Sequence, residues 1–219
     1  MKKLISVLVL TAMLVRPAMA YTPVIDAGHG GFDGGAVSSS GVIESGLNLA
    51  ISLKTASIFR LFGIEPVLIR ETDTALGTEN KSGRSAKAAD LKRRVEIVNS
   101  TEDAFLLSIH QNMFGDSRCE GAHIFYKDNT AFPLAEALQN DIREQLDPEN
   151  TRVVKPVAKD VYLFKKVSCP GILAECGFLS NSRDLALLQQ DEYQRKLACV
   201  LAAGFLRFNS GMLNTEGES

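Results

Sequence analysis

The feature that most constrains this chain is its rhythm. Five short runs rich in β-branched and aromatic residues, at 23–26, 66–70, 104–109, 122–126 and 171–175, are each bounded by turn formers. Helical stretches fall between them. Residues 45–62 are apolar nearly all round, with Asn48, Ser52 and Thr55 as a narrow polar stripe at helical spacing, and the run stops at Gly63. That pattern predicts a largely buried helix with a glycine C-terminal signal. A charged helix is expected at 90–99. Leu134, Leu138, Ile142 and Leu146 recur every fourth residue within an expected helix at 133–146, and a last helix covers about 191–208. Strands alternating with helices predict a single α/β domain with a mixed, largely parallel central sheet flanked by helices on both faces. With 45% hydrophobic and 23% charged residues among 219, the chain can fill one such core. No repeat or low-complexity linker divides it.

The two ends read differently. Lys2 and Lys3 precede an apolar run at 4–15, and Ala18-Met19-Ala20 has the small–x–small pattern of a signal-peptidase site. Residues 1–20 are therefore expected to be a secretory signal peptide, with an uncleaved N-terminal anchor as the alternative; the run is short for a transmembrane helix. The expected domain is 21–208, followed by a flexible tail at 209–219. Removing Lys2, Lys3 and Arg16 from the 24 basic residues leaves 21 against 26 acids, a net charge of −5. No basic tract with interleaved aromatics stands out, which argues against a nucleic-acid partner. Cys119, Cys169, Cys176 and Cys199 show no CxxC spacing, so a cysteine metal site has no support. They read as buried thiols, with a disulfide open to an exported protein.

Chemistry-bearing residues gather where strands are expected to end. The run Val24-Ile25-Asp26 leads into Ala27-Gly28-His29-Gly30-Gly31; 106–109 ends at His110; 172–174 ends at Glu175; and Glu44 opens the helix after the glycine-rich loop. In open α/β sheets, ligands collect at the carboxyl ends of strands. Two His and one Glu form a catalytic zinc set, and a fourth group must handle the proton of the attacking water. His29, Glu44 and His110 as ligands with Glu175 as base would satisfy this. From the residues alone, a hydrogen-bonded structural histidine and a solvated glutamate are the commoner readings of such positions.

The chain resembles the zinc-dependent N-acetylmuramoyl-L-alanine amidases called amidase 3. The resemblance spans 22–208. It rests on Ile25-Asp26-Ala27-Gly28-His29-Gly30-Gly31, Val42-Ile43-Glu44, Leu47-Asn48-Leu49-Ala50, Leu91-Lys92-Arg93-Arg94, Ser108-Ile109-His110-Gln111-Asn112 and 175–181, all in family order. It implies Zn2+ held by His29, Glu44 and His110, with Glu175 catalytic. It also implies hydrolysis of the amide between the lactyl group of muramic acid and L-alanine in peptidoglycan. The details look most similar to the germination-specific, spore-cortex type, which implies action in cortex maturation and muramic-δ-lactam formation, in the cell wall or cortex space. A chain without a wall-binding module is expected to use an activating or localising protein partner. The alternatives are an inactive wall-binding homologue, or another wall-directed zinc peptidase or deacetylase. Ala27, Gln111 and Ser45-Gly46 depart from the family's usual residues without touching a catalytic position. Arg70 and Arg94 stand where the family often has arginine, and are expected to pair with local acids. Asp26 reads equally as a carboxylate that orients His29 and as a strand-end turn residue. His123 reads as structural, and Cys176 is not expected to be a nucleophile. The polar stretch 76–87 is expected to be a loop near the substrate groove.

Overall fold

The computed structural model describes residues 21–79 and 82–214. The signal-peptide expectation at 1–20 and the last five residues of the expected tail lie outside the described residues. Six strands form one sheet. In chain order they are β1 (Thr22–Ala27), β2 (Val67–Leu68), β3 (Ala104–Asn112), β4 (His123–Tyr126), β5 (Lys155–Pro156) and β6 (Gly171–Phe178). Their spatial order is β2-β1-β3-β6-β4-β5. The first four in that order run parallel, while β4 is antiparallel to β6 and parallel to β5. The mixed, largely parallel sheet read from the sequence is the observed one.

The helices are α1 (Glu44–Leu61), α2 (Gly83–Ser100), α3 (Phe132–Gln145), α4 (Tyr162–Lys166), α5 (Ser182–Leu188) and α6 (Asp191–Asn209), with a 3-10 turn at Met212–Asn214. They cover both faces. On one, α1, α3 and α6 pack over Ile25, Phe105, Leu107, Ile109, Ile172 and Ala174. On the other, α2 and α4 pack over Val24, Leu106 and Leu173. Alternate residues of one strand thus serve two cores, so the central strands read as continuous apolar runs. None of the described helices is long and apolar enough to cross a membrane.

Several local expectations are corrected. The stretch 76–87 is not all loop, because α2 starts at Gly83. The two-residue β5, short α4 and short α5 have no periodic signature and were not expected. For α5, Asn181 supplies a cap, its side chain accepting from the Arg183 and Asp184 amides. The four cysteines are free, but only Cys176 is buried; Cys199 is exposed. The polar stripe of α1 is itself buried: Asn48, Ser52 and Thr55 are all inside. Tyr21 is clasped to the end of α6. Its amide donates to Asn209 Oδ1 (2.7 Å), Asn209 Nδ2 donates back to its carbonyl (3.2 Å), and its ring stacks on Phe208.

The largest fully buried side chain is Arg94 of α2. Its guanidinium donates to Asp26 Oδ1 (2.6 Å) and Asp90 Oδ2 (2.7 Å) and to the carbonyls of Ala27 (3.0 Å) and His29 (2.6 Å). Ser108 Oγ donates to the other Asp26 oxygen (2.7 Å). Pairing with acids, as expected for Arg94, is observed. Arg70 differs, since its guanidinium is spent on the carbonyls of Ala27, Gly28, Ser45 and Thr72. A guanidinium directed at carbonyls needs no acid when the loop offers converging acceptors.

Removing one partner of a buried charged network strands the others. Arg94→Ala is expected to lower the unfolding free energy by about 3–5 kcal/mol in urea titration. Burial alone would raise the Asp26 pKa, but the Arg94 charge, with help from His110 and Ser108, holds it below the usual carboxylate range. This depressed carboxyl stabilises the fold fully above its unfolded pKa of about 3.9, and the contribution is lost as pH falls through the lower folded value. Asp26→Asn is expected to be less stable at neutral pH and to show a shallower acid limb when stability is followed from pH 6 downward.

Candidate metal centre and active site

The loop from Gly28 to Ile43 closes over the carboxyl ends of β1 and β3. It returns on itself through a Val37–Ile43 bridge and delivers Glu44 as the first residue of α1. The amide of Glu44 donates to the Ala36 carbonyl (2.9 Å) and that of Ser45 to the Gly34 carbonyl (3.0 Å), so the loop fixes the helix start. The backbone at His29 is left-handed (φ 60°), as is that of Gly31 (φ 59°). A non-glycine residue in that region is uncommon and points to a functional constraint. Here the conformation turns the imidazole toward Glu44.

His29, Glu44 and His110 converge, each offering one ligand atom within 4.8 Å of the others. Glu44 Oε1 lies 2.9 Å from His110 Nδ1, and Glu44 Oε2 lies 3.4 Å from His29 Nε2. The two rings stand edge to face, 5.0 Å between centroids. Glu44 also accepts from the amides of Ala36 (2.9 Å) and Gln111 (3.2 Å) and from Asn48 Nδ2 (3.2 Å). Burial would push Glu44 up, but His110 and His29 dominate and hold it at about 2. Two glycines make room. A Cβ on Gly28 would strike the His110 ring, and one on Gly35 would come within 2.5 Å of Glu44 Oε2. Two imidazoles and an ionised carboxylate converging on one point are a donor set suited to Zn2+.

Glu175 pairs directly with His110 across β3 and β6 and lines the same cavity, of about 310 Å³. Its Oε2 is shut from solvent and has no hydrogen-bond partner among the described residues. Burial raises its carboxyl to about 7, aided by the Glu44 charge and opposed by His110. A carboxyl of this kind is poised to take and return a proton near neutrality. The apolar wall of the cavity comes from α4 with its cap residue and from β6, through Val161, Leu163, Phe164 and Leu173. Cys176 points into the opposite core with its thiol pushed up to about 12 by burial, which rules against a thiolate nucleophile.

His110 and Glu175 lie inside β3 and β6, not at their ends as expected, because both strands continue three or fewer residues further. A register shift between His110 and Asn112 lets the extra length pass. Asp26 does not reach His29, being held by Arg94 and Ser108. Asp33 takes that place, with its Oδ2 3.0 Å from His29 Nδ1 and 3.1 Å from Lys87 Nζ. That contact directs His29 Nε2 toward Glu44. Asp33 went unnoticed in the sequence, although it follows His29 by four residues inside the glycine-rich loop. His123 lies outside the triad and its Nε2 donates to the Val153 carbonyl (2.7 Å).

Residues 24–207 match the family profile described as N-acetylmuramoyl-L-alanine amidase. The chain is 35% identical over 187 residues to a germination-specific N-acetylmuramoyl-L-alanine amidase of Bacillus subtilis, covering 84% of this chain and 78% of that one. Its fold is similar to the CwlD amidase of Clostridioides difficile, solved in complex with the GerS lipoprotein, with 36% identity, a TM-score of 0.82, and coverage of 87% of this chain and 99% of that one. The amidase AmiC2 of Nostoc punctiforme is similar at 30% identity and a TM-score of 0.71, over 86% of this chain and 97% of that one. With its profile match running from β1 to the last turns of α6, this chain belongs to the N-acetylmuramoyl-L-alanine amidase family.

Proposed function

We propose that this chain is a zinc-dependent peptidoglycan amidase that uses His29, Glu44 and His110 to hold the metal and Glu175 as the catalytic acid–base. The observation that carries this reading is the orphaned, buried Oε2 of Glu175 in the cavity that His29 and His110 also line. Buried polar atoms without partners are rare, and one in a cavity calls for a group that arrives with substrate. When bound, zinc supplies a Lewis acid that polarises the amide carbonyl and eases ionisation of water. Glu175 takes a proton from the attacking water and returns it to the departing L-alanine nitrogen, while the lactyl carboxylate is released. Asp33 and Gly28 keep the two imidazoles in position, and the α4 wall limits the access of bulk water.

The likeness to a germination-specific amidase and to CwlD supports a place in spore-cortex maturation, where removal of stem peptides precedes muramic-δ-lactam formation. Export through residues 1–20 would bring the domain at 21–208 to that substrate. The lipoprotein bound to CwlD supports a protein partner here as well.

Incubation with purified peptidoglycan, followed by mass spectrometry, is expected to yield free stem peptides beginning at L-alanine, and none after chelation. Cleavage within the peptide, or release of acetate, would sink the reading. Glu175→Gln is expected to keep its zinc and lose at least about 100-fold in turnover; near-normal turnover would remove Glu175 from the reaction. Gly28→Ala is expected to weaken zinc binding about tenfold or more in calorimetric titration, with an unchanged circular dichroism spectrum.

A further inference from the structure

A second groove lies on the far side of Glu175 from the metal triad. Its walls include Arg118, Glu120, His123, Arg152 and Lys155. Sheet register fixes its place. His110, Glu175 and His123 are direct neighbours across β3, β6 and β4, so their side chains form one row on one face of the sheet. Beyond them, Lys155 pairs with Phe125 on the outer strand β5. Adjacent strands are about 4.8 Å apart, so the groove begins one strand from Glu175 and reaches the β5 edge at about 10 Å. An extended peptide rises about 3.3 Å per residue, so that span equals about three residues.

The charge in the groove is unbalanced, with three cations on its walls against the single carboxylate of Glu120. Arg118 is engaged by Asp116. Arg152 and Lys155 form no ion pair among the described residues. The guanidinium of Arg152 sits 4.7 Å from the centroid of Phe178, on the same strand as Glu175, and its Nε donates to the Glu120 carbonyl (3.1 Å). The planar group is thus held in place with its terminal nitrogens available for a carboxylate. Burial holds the His123 imidazole pKa down, and both cations are near enough to add to it.

We propose that this groove is a carboxylate subsite, in which Arg152 and Lys155 receive an acidic group of the peptide two to three residues from the scissile amide. The proposal rests on the amidase reading above. It makes the chain selective for stem peptides with free carboxylates over the same peptides with carboxamides, and it runs the peptide from the metal, past Glu175, toward the β5 edge.

The test compares two synthetic muramoyl tripeptides, one with free carboxylates and one fully carboxamidated, using the zinc-loaded wild type, Arg152→Gln and Lys155→Gln. Wild type is expected to show a KM about tenfold or more lower for the acidic peptide, the scale of a charge-assisted hydrogen bond. Each variant is expected to raise that KM about tenfold, keep kcat within about twofold, and leave the carboxamide peptide unaffected. Lys155 is exposed and tests the idea even if Arg152→Gln disturbs the Phe178 contact. Equal KM values in wild type, or variants that shift both peptides alike, overturn the subsite. So does normal cleavage of both peptides by variants that instead lose a protein partner. If wild type cleaves neither peptide, the amidase reading itself falls, and the subsite with it.

Discussion

Everything at the site depends on two arginines that hold a loop by its carbonyl oxygens. Arg94 and Arg70 together bind the carbonyls of Ala27, Gly28 and His29, and Arg70 also takes that of Ser45, beside Glu44. These carbonyls leave the sheet at the end of β1, where no neighbouring strand can satisfy them. Two buried forks of donors replace the missing ladder and make an irregular, glycine-rich loop as fixed as a strand. The cost is two charges without water, which Asp26 and Asp90 offset for Arg94. One member of the triad lies on the loop itself and another just beyond it, so the clamp sets the distance between them.

Two carboxylates on either side of His110 are then treated in opposite ways. Glu44 is surrounded by donors and imidazoles and stays ionised, while Glu175 has one enclosed oxygen without a hydrogen-bond partner among the described residues and is pushed toward neutrality. Separated proton affinities on neighbouring acids fit Glu44 and Glu175 to the proposed roles of ligand and proton carrier without any difference in residue type. Their positions enforce the difference. Glu44 sits where a helix begins and backbone amides gather, and Glu175 lies within a central strand whose own amides are committed to neighbours.

Much of this was legible in the sequence. Strands such as β3 announce themselves because both faces are buried, and α1 is long enough to show its period. His29, Glu44, His110 and Glu175 stand out because glycine-flanked or strand-borne His and Glu interrupt apolar runs. What escaped was set by contact and not by pattern. Asp26 and Asp33 are both acids near His29, and only the fold shows that Arg94 captures one and leaves the other for the imidazole. The buried polar stripe of α1 has a similar cause, since Asn48 bonds Glu44 and the Gly28 carbonyl of a loop far away in sequence. The two-residue β5 and the five- and seven-residue helices α4 and α5 carry too few side chains to show a period.

The clasp of Tyr21 by Asn209 has a geometric consequence. Tyr21 precedes β1, whereas His29 follows it, and six strand residues at about 3.3 Å each separate the two by about 20 Å. The chain therefore enters the domain at one pole and does its chemistry at the other. Anything joined through residue 21 leaves from the closed pole, stapled there to the last helix. A tether at that point would leave the open pole facing outward, free to meet a polymer that the domain must reach but never enclose.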